Sequence, residues 1–304
     1  MSIFQGAATA LLTPFTADGQ SIDFEALTQM INWQIGSGID GLIVGSTTGE
    51  AVALTENEHK AIIAFTVQTV NGRVPVMAGT GSNNTAETIQ MTQYAEAAGA
   101  DGVLIVTPYY NKPSQKGLIA HYTAIHDSSN IPIILYNVPS RTGVNMTPKT
   151  VLALSELPRI VALKEASNDF SQITELARIL PSDFTLYSGN DDTILPFMAL
   201  GGQGVISVTS NIIPKEIHTL TTDYLNGDVK GALSLQLALK PLIDSLFLEV
   251  NPIPAKCATE LLNRPLGPLR LPLVEIDASA KCQIEREIER LGLSRGYAAS
   301  IVEA

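Results

Sequence analysis

Lys164 stands near the end of Ile160-Val161-Ala162-Leu163-Lys164-Glu165, a run otherwise apolar enough to read as a buried strand. Alternation along a strand puts Ile160, Ala162 and Lys164 on one face. An ammonium group on an apolar face is costly unless it is paired or loses its proton. A lysine with a lowered pKa is an amine nucleophile that can form a Schiff base with a carbonyl compound. The plainer reading is a strand-end lysine that reaches solvent or pairs with a carboxylate such as Glu165. Taken alone, the segment favours the plainer reading.

Other apolar runs also end in polar residues. Gly45-Ser46-Thr47-Thr48-Gly49-Glu50 offers hydroxyls and amides on a backbone that two glycines allow to bend close to a ligand. That suits a small carboxylate, and the loop lacks the Gly-Lys-Ser/Thr ending of a phosphate-binding P-loop. An ordinary turn with a structural Glu50 is the competing reading. Gly79-Thr80-Gly81-Ser82-Asn83-Asn84 lacks the third glycine of a dinucleotide loop and reads as a strand-to-helix connection. Thr107-Pro108-Tyr109-Tyr110 carries two tyrosines, either for packing or for a proton relay. Tyr136 shares a strand face with Ile134, and Arg141 follows in the next loop. Together they form an acid–base and carboxylate-binding pair; either alone reads as structural.

These residues need a scaffold that gathers strand ends. Eight strands are predicted at residues 7–12, 41–44, 74–78, 102–106, 131–136, 160–164, 185–188 and 204–208. Helical patterns separate them. Asp23 and Asn84 are cap residues, Thr55-Glu56-Asn57-Glu58 is a capping box, and Thr147-Pro148 places proline at a first helical position. Eight strand–helix units predict an α/β fold, a (β/α)8 TIM barrel, with the active site at the C-terminal strand ends. The reading divides the chain into a catalytic barrel at 1–225 and a C-terminal helical region at 226–304, and after the last strand it predicts helices at 214–225, 229–250, 253–262 and 278–291. The tail from Ser294 is expected to be loose. In such a barrel Thr47, Tyr136 and Lys164 lie on neighbouring strand ends with Arg141 nearby. Taken jointly, they favour an imine-forming Lys164.

The composition excludes other classes. A net charge of −11 without a basic run argues against binding to nucleic acid or to an anionic membrane surface. Cys257 and Cys282 form no CxxC pair, and His59, His121, His126 and His218 have no ligand spacing, so no metal site is expected. The apolar stretch at residues 6–12 lacks a basic leader and a cleavage site, and no run is long enough to span a bilayer; a cytoplasmic protein is expected.

Residues 45–50, the segment Tyr136 to Gly143, and Leu163-Lys164-Glu165 occur in an order that resembles the dihydrodipicolinate synthase family of pyruvate-dependent Schiff-base lyases and aldolases. The likeness runs from about Phe4 to about Leu293. It implies that Lys164 forms an imine with pyruvate, and that the derived enamine attacks L-aspartate 4-semialdehyde in diaminopimelate and lysine biosynthesis. It further implies proton transfer by Tyr136 through Thr47 and Tyr110, the last reaching into a neighbouring subunit of a dimer within a homotetramer. Thr47 and Thr48 would hold the pyruvate carboxylate, Arg141 the semialdehyde carboxylate, and Gly189 and the Ile206 backbone would line the pocket. No cofactor is implied. An L-lysine feedback site would map to Ala51, Glu56, His59, Asn83, Glu87 and Tyr109. Ala51 lacks a serine hydroxyl frequent there, and Glu56 replaces a frequent histidine. The alternative within the fold is an aldolase or lyase for a 2-keto-3-deoxy acid or sialic acid; Ser140-Arg141-Thr142-Gly143 favours the smaller aldehyde. A non-catalytic barrel that binds a small acid is the alternative from another class, and the Lys164, Tyr136 and Thr47 set argues against it.

Overall fold

Eight short apolar segments close on themselves as a parallel barrel in strand order β1 to β8, with β1 paired to β8. The computed structural model describes residues 2–293. The strands are β1 Gly6–Ala10, β2 Gly41–Val44, β3 Val76–Gly79, β4 Gly102–Val106, β5 Ile133–Asn137, β6 Ile160–Glu165, β7 Thr185–Ser188 and β8 Gly204–Ser207. Helices α1 Phe24–Gly36, α2 Glu56–Val70, α3 Thr85–Ala97 and α4 Gln115–Ser128 follow the first four strands. A short α5, Pro139–Thr142, and α6, Pro148–Ser155, follow β5. Then come α7 Phe170–Ile179, α8 Ile194–Ala199 and α9 Pro214–Leu225. The C-terminal helices are α10 Val229–Ser245, α11 Ile253–Leu261 and α12 Ala278–Arg290.

The predicted TIM barrel is therefore present, and the predicted strands differ from it only at their ends. β3 and β5 start two residues late because Pro75 and Pro132 precede them and cannot donate to a ladder. Helix α10 stops at Ser245 rather than continuing to residue 250. The predicted caps hold: Asp23 accepts from the amides of Glu25 and Ala26, Asn84 from Ala86, and Thr55 and Glu58 form the reciprocal box. The tail from Ser294 lies outside the described residues.

Strands buried on both faces need two apolar layers. Outward residues such as Leu42, Val44, Val103, Ile105 and Leu163 pack under the helices. Inward residues Ala8, Ile43, Met77, Leu104, Ile134, Tyr136, Ala162, Tyr187 and Ile206 fill the barrel. Alternation then sends Lys164, two residues after Ala162, into that interior. Among the described residues no helix is long and apolar enough to cross a membrane.

Candidate active site

Strands β5 and β6 pair in a register that sets Tyr136 beside Lys164 and Asn137 beside Glu165. Lys164 is 4% exposed, and its Nζ lies 4.4 Å from the centre of the Tyr136 ring. Glu165 points to the other face. It accepts hydrogen bonds from Asn137 Nδ2 at 3.0 Å, Gln172 Nε2 at 3.2 Å and the Ser167 amide at 2.6 Å. The nearest carboxylate in sequence is thus fully engaged elsewhere. Among the described residues no carboxylate forms a salt bridge with Lys164. The plainer reading, a lysine that reaches solvent or pairs with Glu165, is excluded by this geometry.

Burial without a partner lowers the Lys164 pKa to about 8; the nearby Asp191 charge resists the fall, and the Arg141 charge adds to it. Asp191 is buried after β7, where Oδ2 accepts from the amides of Val208 and Thr209, each at 2.9 Å. Burial raises the Tyr136 pKa, opposed by the Arg141 charge and by a side-chain hydrogen bond with Thr47. Gly189 closes the site from β7: a Cβ there would stand 2.7 Å from Ala166 Cβ and 3.2 Å from Lys164 Cε. Only glycine leaves room beside the lysine stem. Ile206 on β8 is fully buried in the barrel interior, in the same apolar cluster as Tyr136.

A cavity of about 420 Å³ has Thr47, Tyr136, Arg141, Tyr109, Asn251 and Arg270 on its walls, and Tyr136 is the wall residue that lies against Lys164. Its size suits a small-molecule site. Arg141 reaches it from α5, and its Nη2 donates to the Asn251 carbonyl at 3.1 Å. Thr48 is buried on the same loop as Thr47 and accepts from Asn251 Nδ2 at 3.0 Å. The predicted set of Thr47, Thr48, Tyr136, Arg141, Lys164, Gly189 and Ile206 is thus gathered at one end of the barrel. Tyr110 is not on the cavity wall. It is 88% exposed, and its backbone is held at φ +69°.

The positions proposed for an L-lysine site only partly converge. Ser82 donates to Glu87 at 3.0 Å and also bonds Tyr109, whose pKa is raised by burial and the Glu87 charge. His59 Nε2 contacts the carbonyls of Gly45 at 3.1 Å and Gly79 at 2.8 Å, and burial lowers its pKa. Asn83 uses its carbonyl to accept from Asn111 Nδ2 at 2.9 Å. Ala51 lines the cavity, whereas Glu56 is exposed and engages Lys60.

Three residues here had no motif to mark them: Asn251, Lys256 and Arg270. All come from the C-terminal region. Lys256 Nζ meets Glu50 Oε1 at 2.9 Å, and the Arg270 amide donates to Glu50 Oε2 at 3.0 Å. One signal was available for Lys256. It is a lone charge in the apolar run Ile253-Pro254-Ala255-Lys256-Cys257-Ala258, the same pattern that marked Lys164.

The arrangement can activate an amine and bind small carboxylates, and its kin have been characterised. The model of the "Dihydrodipicolinate synthetase family" matches residues 3–291. A 4-hydroxy-tetrahydrodipicolinate synthase of Thermoanaerobacter sp. (strain X514) is 51% identical over 294 residues, covering 96% of this chain and 98% of that one. The lysine-bound synthase structure from Cyanidioschyzon merolae superposes with a TM-score of 0.94 at 41% identity, over 96% of this chain and all of that one. A chloride-inhibited synthase from Acinetobacter baumannii complexed with pyruvate gives 0.93 at 38% identity, over 95% and 99% of the two chains. With the barrel, the buried amine and near-complete coverage in agreement, the chain belongs to the dihydrodipicolinate synthetase family.

Proposed function

We propose that this chain condenses pyruvate with L-aspartate 4-semialdehyde through an imine on Lys164, the 4-hydroxy-tetrahydrodipicolinate synthase reaction. The observation that carries this reading is the Lys164 amine, buried against Tyr136 with no salt-bridge partner among the described residues and a pKa near 8. At pH 7 about a tenth of such amines are neutral, against a few in ten thousand at an ordinary lysine pKa. That fraction is enough for nucleophilic attack on a ketone.

The neutral Nζ attacks C2 of pyruvate. Tyr136 delivers a proton to the departing hydroxyl, and water leaves to give the iminium. Loss of a C3 proton to the Tyr136 oxygen gives the enamine, with the iminium nitrogen as electron sink. The enamine carbon attacks the aldehyde, whose oxygen takes a proton. The amine of the semialdehyde portion then replaces Lys164 at C2, closing the ring and freeing the lysine.

Thr47 and Thr48 hold the pyruvate carboxylate, and Thr47 passes protons along its hydrogen bond with Tyr136. Arg141 at the cavity wall binds the second carboxylate. The Gly189 and Ile206 backbones border the reacting carbon. Tyr110, exposed in one chain and held in a left-handed conformation, completes the relay in a second copy, so a dimer is the smallest active unit. The hydrogen-bonded Glu87, Ser82 and Tyr109 group supports an L-lysine site beside the cavity.

The first test is borohydride reduction with pyruvate, followed by peptide mass analysis. The expected adduct is on Lys164; an active protein with no adduct there overturns the mechanism. The second is co-expression of Lys164→Ala and Tyr110→Phe chains under separate tags. A purified hybrid recovers activity if Tyr110 acts across the subunit boundary, because the intact lysine then meets an intact tyrosine. A hybrid as weak as its parents places Tyr110 in the site of its own chain, and a Tyr110→Phe parent of full activity places it outside the relay.

A further inference from the structure

Glu50 ends the loop that carries Thr47 and Thr48, and it is held in the left-handed region at φ +53°. The preceding turn is tight: the Gly49 amide donates to Ser46 O at 3.0 Å and the Glu50 amide to Thr47 O at 3.2 Å. Thr13 Oγ1 donates to Gly49 O at 2.6 Å. A non-glycine residue keeps such a conformation only when its surroundings hold it.

Here the surroundings are the C-terminal region. The Glu50 side chain is 1% exposed and that of Lys256 is 4% exposed, with 2.9 Å between Nζ and Oε1. Lys256 also donates to Pro268 O at 2.9 Å and lies 4.3 Å from the centre of the Phe15 ring. Arg270 takes the opposite part: its guanidinium carbon is 4.1 Å from the same ring centre, and its amide holds Glu50 Oε2. Every contact that fixes the Glu50 carboxylate thus comes from more than 200 residues away in sequence.

We propose that Lys256 and Glu50 are positioning residues, whose buried ion pair lets α11 hold Thr47 and Thr48 in the conformation that takes the substrate carboxylate. This rests on the roles given above to the two threonines. Neither charge reacts. Removing either leaves the other buried and unpaired, which the loop relieves by moving.

The test uses the full-length enzyme with Glu50→Gln, Lys256→Met and the double variant. Circular dichroism checks the fold, and steady-state rates give kcat and the pyruvate KM. Glu50→Gln, which keeps the side-chain shape, is expected to raise the pyruvate KM about tenfold while lowering kcat less. The borohydride adduct still forms on Lys164 at saturating pyruvate. The double variant is expected to cost no more than the worse single variant, because the pair acts as one unit. Where Lys256→Met fails to fold, Glu50→Gln carries the test. A folded Glu50→Gln enzyme that loses thermal stability but keeps the parental KM overturns the clamp, as do single effects that simply add. A parent that forms no adduct on Lys164 overturns the functional reading and the clamp together. A parent that forms it, beside variants of parental KM, overturns the clamp alone.

Discussion

Two buried lysines in this barrel meet the same problem and solve it in opposite ways. Lys164 is 4% exposed and Lys256 5%. Each ammonium lies over an aromatic ring, 4.4 Å from Tyr136 and 4.3 Å from Phe15. Burial lowers both pKa values. The difference is the carboxylate. Glu50 stands 2.9 Å from Lys256 and opposes that fall, whereas Glu165 beside Lys164 is turned away into amide and carboxamide donors. In the function proposed above, the paired lysine is structural and the unpaired one reacts.

Activity breaks the comparison most sharply. Lys164→Ala is expected to abolish turnover, a loss on the order of 10⁴-fold or more, while circular dichroism stays parental. Loss of folding in that variant would instead make Lys164 structural. Lys256→Ala touches no reacting atom and is expected to retain pyruvate adduct formation on Lys164, at raised pyruvate concentration.

Stability should reverse the ranking. Lys164→Met removes an amine whose charged form the interior disfavours, so its melting temperature is expected at or above the parent's. Lys256→Met strands the Glu50 carboxylate and is expected to cost roughly 3–5 kcal/mol. Denaturant unfolding of both variants, read as two-state transitions, measures the contrast. Equal losses would mean that the two lysines are held alike.

The contrast was half legible in the sequence. Alternation alone turned Lys164 inward with Ala162 and Ile160, since a strand's period of two leaves little choice once one face is assigned. The caps at Asp23, Thr55 and Asn84 were equally readable, because their partners lie within three residues. What stayed hidden were contacts between distant segments. Glu50 could be read as a turn residue or as a ligand, and only its approach to Lys256 and Arg270 decides its role. Asn251 joins Thr48 to Arg141, yet nothing in its own neighbourhood announces it. Tyr110 is a third kind of case: it is 88% exposed, and no contact within the chain carries the role proposed for it.

The smallest expected effect is a dependence on pH, and its sign follows from the lowered Lys164 pKa. Attack on pyruvate needs the neutral amine. Initial trapping rates at limiting pyruvate should fall about tenfold for each pH unit below 8 and level off above it. The same titration affects stability. The folded-state pKa is about 8 and the ordinary lysine value is 10.5, so between those values the unfolded chain binds the extra proton. Parental stability therefore rises with pH across that window relative to Lys164→Met, and the penalty of burying the charge is fully present below pH 8. The stability gap between the two proteins should be constant below about pH 8 and close toward about pH 10.5.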